Sequence, residues 1–420
     1  MIAAGHSPVC VVHADAIVLG DASPLRDGAV VLDDDARVVD FGRADEVLPR
    51  HAGAAVERVR GAILPGLINA HTHLELSALR GVVPGGAGFA PWLDHMIGMR
   101  AELHPEEDDE AIERAVAELD AFGTVAVGEV TNTLAAVRAL SRRGIVGSVF
   151  HEVFGLEREA LERRVSALPD VVAERVGVWP TDELVYVPTP HTLYTTHPDV
   201  VRRLVRAARD RGVRASLHLA EHPAERRFLQ SGDGPIADWF VARLKLSRDR
   251  LKWPAKSPIE FADELGALGP DAIAVHLTDA RPAELALVAR RGGPIVLCPR
   301  SNLFIETKLP PLLAAREVGL WPALGTDSLA SNSSLDVLAE ARALADRFPT
   351  VPACDLLRMA TWEGARALGR GDIGRIARGA RPGVLAIDGE PGQDPCAFVL
   401  QNVRAPRRWI ARRTSVPRGQ

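Results

Sequence analysis

From Leu64 to Gly325, short apolar runs rich in β-branched residues alternate with stretches of helical period, and this alternation restricts the fold more than any other feature of the chain. Neighbouring parallel strands need a long crossover, usually a helix, so repeated β-α units build a parallel sheet. The apolar runs end near Asn69, Glu129, Glu152, Pro188, Leu217, Val275, Leu297 and Gly325, with helix-like segments such as 106–122, 198–211 and 281–291 between them. Eight such runs predict an α/β fold, a closed TIM-type (β/α)8 barrel over residues 63–371, with its functional groups at the C-terminal ends of the strands.

The flanks have a different texture. Residues 1–62 contain Ile17-Val-Leu, 28–32 and 36–40, short strand-like runs between turn residues, and 379–388 and 397–403 repeat that style near the other end. The two ends, 1–62 and 372–420, are therefore expected to pair into one small composite β-sandwich domain. The arginine-rich stretch 407–418 reads as a solvated end rather than a nucleic-acid arm. Residues 230–257, with Gly232-Asp-Gly-Pro235 and Trp253-Pro254, read as an insertion after the fifth strand, placed to cover a site.

At 420 residues and 47% hydrophobic content the chain can bury a large core, and its formal charge of −5 gives no reason to expect nucleic acid or an anionic membrane as partner. A small molecule is the expected partner. Cys10, Cys298, Cys354 and Cys396 are widely spaced, which predicts neither a disulfide nor a thiolate metal site and fits a reducing cytoplasm. The beginning of the chain lacks the pattern of a signal peptide, and no apolar run reaches the roughly 20 residues that span a bilayer. Oligomeric state stays open, a homodimer included.

Histidines and carboxylates fall where the strands end. His71-Thr-His73 closes the first apolar run, and on an extended strand both rings point to the same face. His218 ends the fifth run with Glu221 three residues on, His276 ends the sixth, and Gly325-Thr-Asp327-Ser328 follows the eighth. Taken singly, each has a structural reading as a packed histidine or a turn. Together, four strands deliver them to the same rim of one barrel.

On these residues the chain resembles the amidohydrolase superfamily, in its aminohydrolase branch of metal-dependent deaminases. The resemblance covers the His71-Thr-His73 pair, His218-Leu-Ala-Glu221, His276, Gly325-Thr-Asp327 and the split terminal β-domain. It implies that His71, His73, His218 and Asp327 bind one divalent ion, and that Glu221 and His276, with Asp327, act on water and substrate. A Zn2+ ion is expected, though the nitrogen and oxygen ligands also accept Fe2+ or Mn2+. Such an ion lowers the pKa of its water to roughly 7, so that hydroxide attacks an aminated ring carbon while Glu221 protonates the ring nitrogen and ammonia leaves. Binuclear relatives use a carbamylated lysine, and no lysine lies between His73 and His218, which favours one ion; Glu129 and Glu152 keep a second one open.

Further motifs resemble the aminodeoxyfutalosine deaminases of menaquinone biosynthesis: His71–Ser77, His151–Gly155, Pro190–Thr195, Cys298–Asn302 and Gly325–Asn332. That resemblance implies an aminopurine nucleoside bearing a benzoate, hence a cation or donors at one end of the pocket, for which Arg80, His191 and Arg300 are candidates. Glu75, Ser77 and Ser328 are placed to face the base. The competing readings are deaminases of S-adenosylhomocysteine, methylthioadenosine or guanine, triazine chlorohydrolases, a binuclear cyclic amidase, and a non-catalytic metal-binding scaffold.

Overall fold

The structure, a computed structural model, describes residues 10–412. In chain order its strands are β1 (Cys10–Ile17), β2 (Leu25–Leu32), β3 (Val38–Arg43), β4 (Val56–Pro65), β5 (Leu67–His73), β6 (Thr124–Thr131), β7 (Val146–Val153), β8 (Leu184–Pro190), β9 (Ala215–Leu219), β10 (Ala272–His276), β11 (Ile295–Leu297), β12 (Ala323–Leu324), β13 (Asp327–Ser328), β14 (Val384–Asp388) and β15 (Arg408–Ala411).

The terminal strands do pair with one another, in one six-stranded sheet of order β15-β14-β4-β1-β2-β3. β4 is parallel to β1 and antiparallel to β14, so strands from opposite ends of the chain lie side by side. Alternation along β1, β2 and β4 sends Val12, Val30 and Ile63 into one apolar layer, and Val11, Ala29 and Val31 of β1 and β2 into another, which the helix Ala44–Arg50 covers with Val47.

The remaining strands are parallel and form two arcs, β13-β5-β6-β7-β8 and β12-β11-β10-β9. The arcs meet at both ends. Only Gly325 and Thr326 separate β12 from β13, and the His218 backbone N–H donates to His191 O at 3.1 Å where β9 runs beside the end of β8. β5 is buried along its whole length, as expected of a parallel strand covered on both faces. Helices Pro105–Ala121, Pro198–Asp210 and Pro282–Arg291 fall within a residue or so of expectation, each opening on a proline that supplies no N–H to leave unsatisfied.

Four expectations need correction. Two strands run past their predicted ends, β5 through His73 and β6 through Thr131, because polar residues that resemble loop are in fact the last rungs of buried strands. Residues 397–403 are not a strand: Asp394 caps a helix, Pro395–Gln401, by accepting from the N–H groups of Cys396 and Ala397, and Pro395 starts it. Cys354 and Cys396 form a disulfide, because the helix Ala353–Ala360 packs against that terminal helix and cancels their separation of 42 residues. Arg407 is not solvated but buried, its guanidinium paired with Asp336 at 2.7 Å; residues 413–418 of that stretch lie outside the described residues. Among the described residues no helix is long and apolar enough to cross a membrane.

Candidate active site

His73 Nε2 lies 3.2 Å from His71 Nε2 and 3.2 Å from His218 Nε2. Asp327 Oδ1 stands 3.6 Å from His73 Nε2 and 3.8 Å from His71 Nε2. Three strands, β5, β9 and β13, thus aim four ligand atoms at one point. Three buried imidazole nitrogens this close cannot all satisfy one another, whereas a divalent cation would accept every lone pair at once; the donor set fits zinc, iron or manganese. Burial, helped by the neighbouring imidazoles, holds the His71 pKa well below its ordinary value, so the ring is neutral, as a ligand must be. His218 Nδ1 faces both His191 O and Glu152 Oε1 at 3.2 Å, which fixes its proton there and turns the Nε2 lone pair inward.

Glu221 and His276 form a second group beside the first, with 3.7 Å between His276 Nε2 and Glu221 Oε1. The loop that carries Glu221 is anchored by Glu225, whose carboxylate accepts the N–H groups of Ala220 and Glu221 at 3.1 and 2.9 Å. Burial pushes the Glu221 carboxyl up to about 8 and the His276 imidazole down to about 3. The backbone is unusual here too: Ala220, His276, Leu277 and Asp327 all have positive φ, between 49° and 76°, a cost accepted where strand ends must turn a side chain towards a site. Gly325 permits the approach of β12 to β5, since a Cβ on it would stand 2.7 Å from His71 O.

His73, His218, Glu221, His276 and Asp327 line a cavity of about 570 Å³, to which His71 itself is not exposed. Helix Phe89–Arg100 contributes Phe89, Trp92 and Met96 to the walls, and helix Pro235–Leu244 contributes Trp239, Phe240 and Leu244. The second helix belongs to the 230–257 segment, so that insertion does border the cavity. Arg243 on it and Asp94 on the first helix pair at 2.5 Å across the two.

Of the substrate-facing candidates, Glu75, His191 and Ser328 line the cavity. Ser77 is buried nearby without lining it, and its hydroxyl has no hydrogen-bond partner among the described residues. Arg80 and Arg300 do not reach it. Arg80 turns outward to Ser333 O and Glu118, and Arg300 binds the hydroxyls of Ser333 and Ser334. Each leaves the cavity because carboxylates and hydroxyls on the outer side supply its partners.

The cavity arginine is one that the sequence reading passed over, Arg100, 3.2 Å from Glu75 Oε1. Glu75 Oε2 meanwhile accepts from Thr131, Asn132 and Thr133 at 2.8 to 2.9 Å, so its carboxylate is a fixed post for the guanidinium. Trp92, Met96 and Arg100 recur every four residues, a helical stripe that could have flagged it. Glu129, one of the two carboxylates considered for a second ion, accepts the Leu74 N–H at 3.2 Å instead.

The amidohydrolase family pattern matches residues 62–407. The chain belongs to the amidohydrolase family. It is 28% identical over 378 residues to a 5-methylthioadenosine/S-adenosylhomocysteine deaminase of Nitratidesulfovibrio vulgaris, covering 87% of this chain and 79% of that one. It is 29% identical over 374 residues to the aminodeoxyfutalosine deaminase of Deinococcus radiodurans, covering 84% of each. The structure superposes on Helicobacter pylori aminofutalosine deaminase, solved with methylthio-coformycin, with a TM-score of 0.83 at 22% identity, covering 95% and 97% of the two chains. That likeness is one of fold. Other solved structures of this fold hold zinc. The chain is thus an enzyme of a hydrolase family that acts on C–N bonds.

Proposed function

We propose that this amidohydrolase hydrolytically deaminates an adenine nucleoside whose 5′ substituent is large and apolar with an anionic end, aminodeoxyfutalosine being the substrate that fits, as a step towards menaquinone. The observation that carries this reading is the close placement of His71, His73, His218 and Asp327, beside Glu221 and His276, at a cavity with apolar outer walls and Arg100 at its side. A single divalent ion, most simply Zn2+, would be held by His71, His73, His218 and Asp327. When bound, such an ion makes water acidic enough to ionise near neutral pH.

The chain's own groups then handle protons. Asp327 accepts the proton of the attacking water, which His276 orients through Nε2, and Glu221, protonated because burial raises its pKa, delivers one to the ring nitrogen. C6 becomes tetrahedral, the exocyclic amine takes a proton, the C–N bond breaks, and ammonia and the oxo product leave. Glu75, His191 and Ser328 orient the nucleoside. The same reading closes the two arcs into one eight-stranded barrel, β12 and β13 counting as one strand, beside a terminal β-sandwich. It also places the protein in the cytoplasm, although the Cys354–Cys396 disulfide is more usual in an oxidising compartment.

A second reading, deamination of methylthioadenosine or S-adenosylhomocysteine, is favoured by the surroundings of Arg100, whose charge is offset by both Glu75 and Asp108. The uncharged thioether of methylthioadenosine would need no free cation. The test is ammonia release by metal-loaded protein from aminodeoxyfutalosine, methylthioadenosine, S-adenosylhomocysteine, guanine and a chlorinated triazine, with ion content measured on the same sample. The highest kcat/KM on aminodeoxyfutalosine with one ion per chain is expected; a higher value on methylthioadenosine selects the second reading, and silence on every purine discards both.

A further inference from the structure

The helix Pro299–Glu306 stands behind the site, and two consecutive residues in its first turn reach Asp327 and His276, the two groups that the proposed reaction uses to deprotonate and orient the water. Ser301 Oγ lies 2.5 Å from Asp327 Oδ2 and 2.7 Å from Ser331 Oγ. Ser331 Oγ is itself 3.1 Å from the same carboxylate oxygen. Both hydroxyls therefore occupy Oδ2, and the other oxygen, Oδ1, is the one that faces His71 and His73. Next in sequence, the Asn302 amide lies 3.3 Å from His276 Nδ1, on the side of the ring opposite the Nε2 that approaches Glu221.

Three observations separate this arrangement from ordinary packing. Ser301 and Asn302 are fully buried polar residues that do not line the cavity. Both groups they hold, Asp327 and His276, sit at positive φ, a conformation that persists only where neighbours impose it. And the helix is itself pinned: Glu340, fully buried, accepts the Arg300 N–H at 2.8 Å and the Asn332 side-chain amide at 2.7 Å, tying the helix start to the loop after β13. The seat thus fixes Asp327 and His276 relative to each other.

We infer that Ser301 and Asn302 are positioning residues for this site, Ser301 choosing which Asp327 oxygen is offered to the ion and Asn302 fixing the His276 ring so that Nε2 points at the reacting water. The inference rests on the reading of the cluster as an ion site, and on deamination only for its turnover arm.

Full-length Ser301→Ala, Asn302→Leu and Asn302→Asp would be compared with the parent protein by Co2+ absorption, by ion affinity in chelator competition, and by kcat and KM. Ser301→Ala frees Oδ2 and is expected to weaken ion affinity about 10-fold and to alter the Co2+ visible bands. Asn302→Leu is expected to lower kcat about 10-fold with ion affinity and KM unchanged, and Asn302→Asp, whose carboxylate can only accept from Nδ1–H and so takes the ring proton off Nε2, to share that loss and shift the pH profile of kcat. Parent-like Co2+ bands and affinity in Ser301→Ala would overturn the Ser301 role. An unchanged kcat in Asn302→Leu, or a parent-like kcat and pH profile in Asn302→Asp, would overturn the Asn302 role. If the parent protein released no ammonia from any nucleoside, the functional reading would fail while the Co2+ and affinity measurements still decided the Ser301 role.

Discussion

Asp40 in the terminal sheet and Glu221 beside the histidine cluster are both buried carboxylates, and the fold treats them oppositely. Asp40 accepts from Arg50 at 3.0 Å, His51 at 3.2 Å, Arg378 at 2.5 Å and the Phe41 N–H at 3.0 Å. Burial alone would raise its pKa, but these partners outweigh it and hold the carboxyl below its ordinary value. Among the described residues Glu221 has no arginine or lysine partner, and burial dominates. One carboxylate is saturated and so cohesive, clipping residues from both ends of the chain together. The other is left short of compensation, the condition in which a carboxyl can still carry a proton near neutral pH.

The contrast can be broken first at Glu221. Glu221→Gln keeps shape but cannot transfer the proton, and kcat should fall about 1000-fold with ion content unchanged. Turnover within a few-fold of the parent would remove Glu221 from the chemistry. Asp40→Asn should do the reverse, lowering the free energy of unfolding by about 2 kcal/mol in urea titration while leaving kcat alone. A change in kcat without a change in stability would erase the distinction between the two regions.

The pH dependence of Asp40 has a definite sign. Its folded pKa is depressed, so its stabilisation is present above the unfolded carboxyl's value, about 3.9, and is lost as pH falls through the lower folded value. The stability gap between the parent and Asp40→Asn should therefore narrow in acid, and a gap that widened there would reverse the argument. The smallest effect belongs to Arg100. Arg100→Met should raise KM for aminodeoxyfutalosine about 10-fold, roughly 1.4 kcal/mol, and leave methylthioadenosine unaffected. An equal change for both substrates would mean that Arg100 only supports the wall.

The residues that the structure gathers into the histidine cluster were legible in the sequence because their chemistry and their spacing coincide: a histidine pair at strand period, then single polar residues that interrupt apolar runs at His218, His276 and Asp327. The order of strands and helices was legible for the same reason, through periodicity. What escaped depends on distance in space. The Cys354–Cys396 bond requires two helices to pack, and Arg100 enters the cavity only because Glu75 is held by the loop after β6. Arg80 and Arg300 were misplaced because charge in a sequence carries no direction. The terminal helix was lost for a local reason, since the apolar run 397–400 masked the Asp-Pro start before it.

β4 lies between β1 and β14 in the terminal sheet, which gives biosynthesis a particular order. A ribosome releases β1 to β4 early, but the strand that pairs with the other edge of β4 emerges only when Val384 to Asp388 is made, after every strand of the two arcs. Until then Ile63 and Leu64 belong to an unpaired edge, the kind of surface that recruits other chains. Truncation before β14 should therefore yield insoluble protein even though every ion-site residue precedes the cut.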